Sequence, residues 1–237
     1  GKEFKLLFRT PVYFINCVLS AFIMPIILIV AVITSLDGVD LSAFLTPQLI
    51  SSIPNLWAYV LIVSFLAGSF MGGINMISAT AISREGSNAS FMKYIPVPLT
   101  TQIAAKTACG IILSAIGTWM LIIPAHIVIE YPIYLDVIFV IGSFISIVMI
   151  NLFSILIDML RPKLVWEQET AAVKQNMNGF ISMLMSFMLA AVLFGLLYVG
   201  WSHVVWIAVG ILFVQIILTI FLCQTVKKAN TRLLNKI

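Results

Sequence analysis

Apolar residues gather in long runs separated by short polar links, and each run is long enough to matter physically. A helix needs about 20 mostly apolar residues to cross the roughly 30 Å hydrocarbon core of a bilayer. Six stretches meet that length: Val12–Ile33, Leu56–Ser78, Gln102–Ile129, Tyr134–Ile157, Gly179–Val199 and Val204–Cys223. The third exceeds the minimum, which leaves room for tilt or for a projecting end. The mixed stretch from Phe4 to Val12 is no signal-peptide core, and the first run is too long for one. The pattern predicts an all-α polytopic membrane protein with six transmembrane helices.

The polar links divide by charge. Lys2, Lys5 and Arg9 precede the first run, and Arg84, Lys93 and Lys106 lie between the second and third or just inside the third. Arg161, Lys163 and Lys174 lie between the fourth and fifth, and Lys227, Lys228, Arg232 and Lys236 follow the sixth. The alternate links, around Asp37–Asn55, Glu130–Pro132 and Gly200–His203, contain no Lys or Arg. Asp37, Asp40, Glu130, Asp136, His126 and His203 fall on or toward that other side. Basic residues stay cytoplasmic, so both termini are expected inside.

Composition agrees with the pattern. Of 237 residues, 62% are hydrophobic and 9% charged, against about 45–50% and about 25% in soluble domains. The net charge of +4 would hint at nucleic acid in a soluble protein. Spread over this chain it reads as membrane orientation, with lipid and no nucleic acid as the partner. Cys17, Cys109 and Cys223 are odd in number and set far apart in apolar runs, which describes buried thiols with neither a disulfide framework nor a zinc site. A chain that starts on Gly1 is expected to be processed or cut from a longer protein.

Within residues 1–10, Lys2, Lys5 and Arg9 recur at helical spacing while Phe4, Leu7 and Phe8 occupy another face. This fits an amphipathic helix in the headgroup layer, ended by Pro11; the plainer alternative is a basic flank that anchors the first span. Ser64, Gly68 and Gly72 repeat every four residues on the second run, as do Ala191 and Gly195 on the fifth and Gly110 and Ser114 on the third. Such stripes let helix backbones approach closely, within the chain or across a subunit interface. Polar residues inside the runs are few. Asn16, Asn75, Asn151 and Gln215 suit interhelical hydrogen bonding, Lys106 can snorkel to the interface, and Asp158 lies near a cytoplasmic end. No ionisable residue marks a mid-membrane proton path.

The two inner loops carry most of the remaining information. In residues 82–100, Ser87 or Asn88 can cap a short helix running to about Tyr94, stopped by Pro96 and Pro98. Phe91, Met92, Tyr94 and Ile95 would then form an apolar knob, which asks for a partner. In residues 158–178, Arg161 and Pro162 end the fourth helix, Trp166 suits the headgroup layer, and Glu167 through Gln175 favours a helix leading into the fifth span. Both loops could equally be connectors with interfacial anchors.

At these loops the chain resembles the permease subunits of bacterial ABC transporters of the ABC-2 exporter type. The resemblance rests on Ser83, Arg84, Glu85 and Gly86 followed by Lys93, Tyr94, Ile95, Pro96 and Val97, just after a small-residue span. Arg161, Pro162, Lys163 and Leu164, with Trp166, Glu167 and the run Ala172, Val173, Lys174, Gln175 and Asn176, reinforce it. It implies one transmembrane domain over 1–237, with 1–10 as a connecting helix, 82–100 as a coupling loop and 158–178 as a second cytoplasmic loop. It also implies a bacterial cytoplasmic membrane, a second transmembrane domain (a second copy or the other half of a longer permease) and a cytoplasmic ABC ATPase. Arg84, Glu85, Phe91, Met92, Tyr94 and Ile95 become the ATPase-coupling candidates. One departure concerns the link at Gly200–His203, which is too short for the bulky outer element many such domains carry between the fifth and sixth spans.

Other chemistries lack their residues. No G-x-x-x-x-G-K-[ST] phosphate loop occurs, so ATP hydrolysis belongs to a separate protein. The two histidines are seventy-seven residues apart, and no serine has a recognisable base, so neither a catalytic site, a metal site nor a cofactor is expected. A secondary transporter or channel not driven by ATP is the main alternative, weakened by the missing internal repeat and midplane charges. A structural or assembly role comes third. Nothing in the pattern selects among peptides, lipids, antibiotics and ions as cargo.

Overall fold

A computed structural model describes residues 2–35, 47–128 and 131–234. Asp37, Asp40 and Glu130 lie outside them. The described residues are helical, with no strand among them, and six of their helices are long and apolar enough to cross a membrane. The protein is a polytopic helical membrane protein.

Helix α1 (Lys2–Arg9) is the amphipathic segment. Leu7 points into the bundle, Lys2 and Lys5 point outward, and half-exposed Phe8 lies beside Phe4 and Phe14. The first span, α2, starts at Pro11–Tyr13, passes through a π-helical stretch at Phe14–Leu19 and continues as Ser20–Ser35 around Pro25. A short helix α3 (Pro47–Ser52) precedes α4 (Leu56–Ile74). Next come α5 (Leu99–Trp119), α6 (Ile122–Val128), α7 (Tyr134–Leu160), α8 (Glu169–Val173), α9 (Met177–Val199) and α10 (Val204–Leu234).

Four boundaries differ from the sequence reading. The second span stops at Ile74 instead of reaching Ser78. Its end is set by Asn75, whose side-chain oxygen accepts the Ile77 N–H at 2.9 Å, and by Met76, which takes a positive φ of 55°. The third span is two helices. Pro124 has no N–H to give the Met120 carbonyl, and the chain turns at Met120 and Leu121 before restarting. The helix expected over Glu167–Gln175 is only Glu169–Val173, because Asn176 leaves helical geometry to cap α9 through the Asn178 N–H. The last helix runs on to Leu234, where Val226, Ala229 and Leu233 keep one face in the core. The link before it is a single 3-10 turn, Trp201–His203.

Packing centres on α4 and α7. The small-residue stripe explains why: a methyl group on Gly68 would meet the Ser143 carbonyl and lie 2.9 Å from its Cα, one on Gly72 would meet Ile150, and Ser64 faces Gly142. The stripe is therefore occupied within the chain by α7 and leaves nothing for a partner subunit. Gly110 and Ser114 are likewise buried inside, whereas Gly195 faces open space. The in-span polar residues join helices as expected: Asn75 to Ser114, Ser78 to Asn151 at 2.5 Å, and Ser146 to Gln215 at 2.7 Å. Asn16 instead bonds its own helix at the Val12 carbonyl.

Two apolar cores mark one end of the bundle. One joins Ile82, Met92, Ile103, Ile155 and Met159 to the end of α10, and the other joins Leu7, Tyr13 and Cys17 to Ile77, Cys109 and Val173. Helix α1, the end of α10 and the loops over 82–100 and 158–178 meet there. A third core, built on Phe65, Leu193 and Ala208, holds the opposite half.

Candidate functional site

After α4 ends, residues 77–82 pass through the interior in turns and lead into a 3-10 stretch at Ser83, and each side chain from Ile77 to Arg84 is buried. A non-helical segment inside a bundle has backbone groups that need partners. Asp158, near the end of α7 and fully buried, supplies them. One of its oxygens accepts the Ile82 N–H at 2.6 Å and the Ser83 N–H at 3.1 Å. The other accepts the Ser83 hydroxyl and the Asn178 amide, the latter at 2.9 Å. One carboxylate thus fastens the exit of the second span to the fourth and fifth.

Ser83 extends the knot into the second loop. Its hydroxyl accepts the Lys163 N–H at 2.9 Å, and its carbonyl accepts the Trp166 indole N–H at 2.9 Å. The indole lies over Gly86, where φ is +56° and an added Cβ would stand 2.7 Å from the ring. Only glycine suits both that φ and that approach. The Lys163 ammonium bonds the Ala171 and Gln175 carbonyls at 3.0 Å each, closing the C-terminal end of α8. The Arg161 carbonyl accepts the Asn178 amide at 2.8 Å. The side chains of Arg161, Glu167 and Lys174 are exposed, and that of Pro162 is half-buried.

Charged residues gather beside the knot. Arg84 is buried, donates to the Ile77 carbonyl at 2.8 Å and to Thr80 Oγ1 at 2.6 Å, and lies over the Tyr13 ring. Lys106 does not snorkel outward: it is 2% exposed and pairs with Glu3 of α1 at 3.0 Å and with Glu85. Lys2 reaches Glu85 at 3.6 Å. Burial disfavours the charged form of Glu85, but Lys106, then Lys2 and Arg84, outweigh it and hold the carboxyl below its usual range.

The segment from Ser83 to Lys93 is a 3-10 helix broken at Gly86, where the sequence suggested a single capped helix from Ser87 or Asn88. It splits the six coupling candidates into two groups. Arg84, Glu85 and Met92 face inward, Met92 in the core with Ile82 and Ile155. Phe91 and Tyr94 are 61% and 80% exposed, and Ile95 is at the edge. The knob is therefore Phe91, Tyr94 and Ile95 without Met92, whose place on the inner face of the turn removes it from any docking surface.

Sequence reasoning missed Asp158, Ser83 and Asn178 as a set. Asp158 alone left a signal, because an acid at the end of an apolar run must find donors. Among the described residues no group of three or more His, Cys, Asp or Glu could hold a metal ion. Comparison with family models, with curated proteins and with solved structures finds no match for the chain.

Proposed function

We propose that the chain is a membrane-spanning permease component of an ATP-driven exporter of the ABC-2 type, driven by a separate cytoplasmic ATPase. The observation that carries this reading is the pairing of an exposed aromatic knob with a rigid base. Phe91, Tyr94 and Ile95 stand on a short turn whose other side is tied by Ser83 to Asp158 and by Gly86 to Trp166. Exposed aromatic groups at a loop ask for an apolar partner. A partner that pushed the knob would move Ser83 and Asp158, and with them the ends of the second, fourth and fifth spans. Coupling needs such a physical element between two sites. The resemblance at both loops supplies the identity of the partner, and the exposed membrane faces leave room for a second transmembrane domain to complete the path.

The test is co-purification with the ATPase. Truncating an aromatic anchor in an interface costs about 2 kcal/mol or more, roughly thirtyfold in affinity. Phe91→Ala with Tyr94→Ala should release the ATPase and lower transport, while insertion stays normal because neither residue lies in a span. Wild-type binding and transport by the double variant would reduce the loop to a connector.

A further inference from the structure

A half-open cavity of about 520 Å³ lies at the end of the bundle away from α1 and the Asp158 knot, between α3, α4, α6 and the start of α7. Its size falls among small-molecule sites, about 300–1,000 Å³. Apart from two tyrosines and one acid, its lining is apolar, with Ile53, Val60, Val63, Leu121, Ile122 and Phe139 among the walls. The acid is Asp136, in the first turn of α7. One carboxylate oxygen accepts the Tyr131 hydroxyl at 2.8 Å and the other meets His126, whose ring stacks on Tyr131 at 4.2 Å. Burial first, and then the Asp136 carboxylate, hold the Tyr131 phenol above its usual range, so it stays a donor.

No Lys or Arg offsets Asp136 in this cavity, and the basic neighbour it has among the described residues is His126. The sequence has no Lys or Arg in residues 10–83 or 107–160, which contain every lining residue. A carboxylate has about four acceptor positions, and among the described residues two are in use, by Tyr131 and His126. Beside apolar walls its field is poorly screened, so a cation is drawn in and an anion is rejected. Aromatic faces at the same end favour cations too. A neutral apolar molecule would fill the walls but gain nothing from Asp136.

We propose that this cavity binds a small amphipathic cation, with an apolar body against α4 and α6 and its charge beside Asp136. The inference does not depend on the permease reading, since binding is measured without an ATPase or transport.

Tetraphenylphosphonium and tetraphenylborate are of nearly equal size and opposite charge, and they serve as the probes. Equilibrium dialysis of the solubilised protein against protein-free micelles of the same detergent should show saturable binding of the phosphonium and none of the borate. Asp136→Asn should weaken phosphonium binding at least tenfold, and Asp136→Glu should retain it. Val63→Trp should block it as well. Val63 is 46% exposed, so the larger ring has room to enter the cavity without displacing the core. Equal binding of both ions by the wild type, or wild-type binding by Asp136→Asn and Val63→Trp, would overturn the proposal. Should Asp136→Asn fail to fold, the ion pair and Val63→Trp decide alone.

Discussion

Replacing Asp158 by alanine should be the most damaging single change at the loop end of the bundle, and its size can be worked out donor by donor. Four donors converge on the carboxylate. Two survive its loss: the Asn178 amide keeps the Arg161 carbonyl at 2.8 Å, and the Ser83 hydroxyl can rotate while still accepting the Lys163 N–H. The backbone N–H groups of Ile82 and Ser83 have no other partner among the described residues. Each orphaned buried donor costs about 1–3 kcal/mol, so the pair costs about 4. Removing a buried charge returns part of its desolvation, which leaves about 3 kcal/mol, roughly a hundredfold in the folded-to-unfolded ratio. Asp158→Asn behaves differently. Its remaining oxygen can serve both backbone donors while its amide faces the Ser83 oxygen, and only the contact with Asn178 turns repulsive, for a loss of about 1 kcal/mol. Unfolding in mixed micelles of rising SDS content measures both, with tryptophan fluorescence reporting the site through Trp166, whose N–H is bonded to Ser83. An alanine variant within about 0.5 kcal/mol of wild type, or an asparagine variant as damaged as the alanine one, would falsify the account of Asp158 as the fastening point.

Gly68→Leu should separate α4 from α7 and cost at least the 1–3 kcal/mol typical of overpacking, because its first carbon already meets the Ser143 backbone. Gly195→Leu, facing open space, should change stability by less than about 0.5 kcal/mol, so equal losses in thermal melts would contradict the packing described. Glu85 has its folded pKa below the ordinary value of 4.5, so its contribution is complete above that value and is lost as pH falls through the lower folded one. Melting temperatures measured as the pH is taken below 4.5 should therefore drop more steeply for wild type than for Glu85→Gln, and parallel curves would remove Glu85 from the ion-pair cluster.

How much of this was legible beforehand follows from the range of each interaction. Span positions came through because a run of apolar side chains is a local property, and the start of the fourth span at Tyr134 and the end of the fifth at Val199 match the helices. Three of the ends that failed were set by Asn75, by Asn176 and by Pro124, whose effect depends on which carbonyl it leaves without a donor, and the last helix ran on because Val226, Ala229 and Leu233 found a core to join. Exposure of Phe91 and Tyr94 followed from their place in a polar loop, but Met92 could not be told from them, since the broken 3-10 turn decides which side faces inward. Lys106 looked like a residue reaching for water because its partners Glu3 and Glu85 stand 103 and 21 positions away. The Asp158 knot was hidden for the same reason, with its donors as many as 76 positions away in the chain.

The interior passage of residues 77–84 also constrains the order in which the protein can be made. Tyr13 and Cys17 of the first span are already made, but the groups that tie this stretch to the fourth and fifth spans are synthesised later. Ser78 waits 73 residues for Asn151, Ile82 waits 76 for Asp158, and Ser83 waits 83 for Trp166. While the ribosome is still on the third span, those polar groups have only water, lipid headgroups or the insertion machinery to turn to. The second helix can enter the bilayer on its own hydrophobicity, yet its exit settles only once the fourth span and the loop behind it have arrived. A nascent chain halted before Asp158 should therefore leave this stretch open to a protease, and one released beyond Asn178 should protect it, so that the last event in building the domain takes place near its beginning.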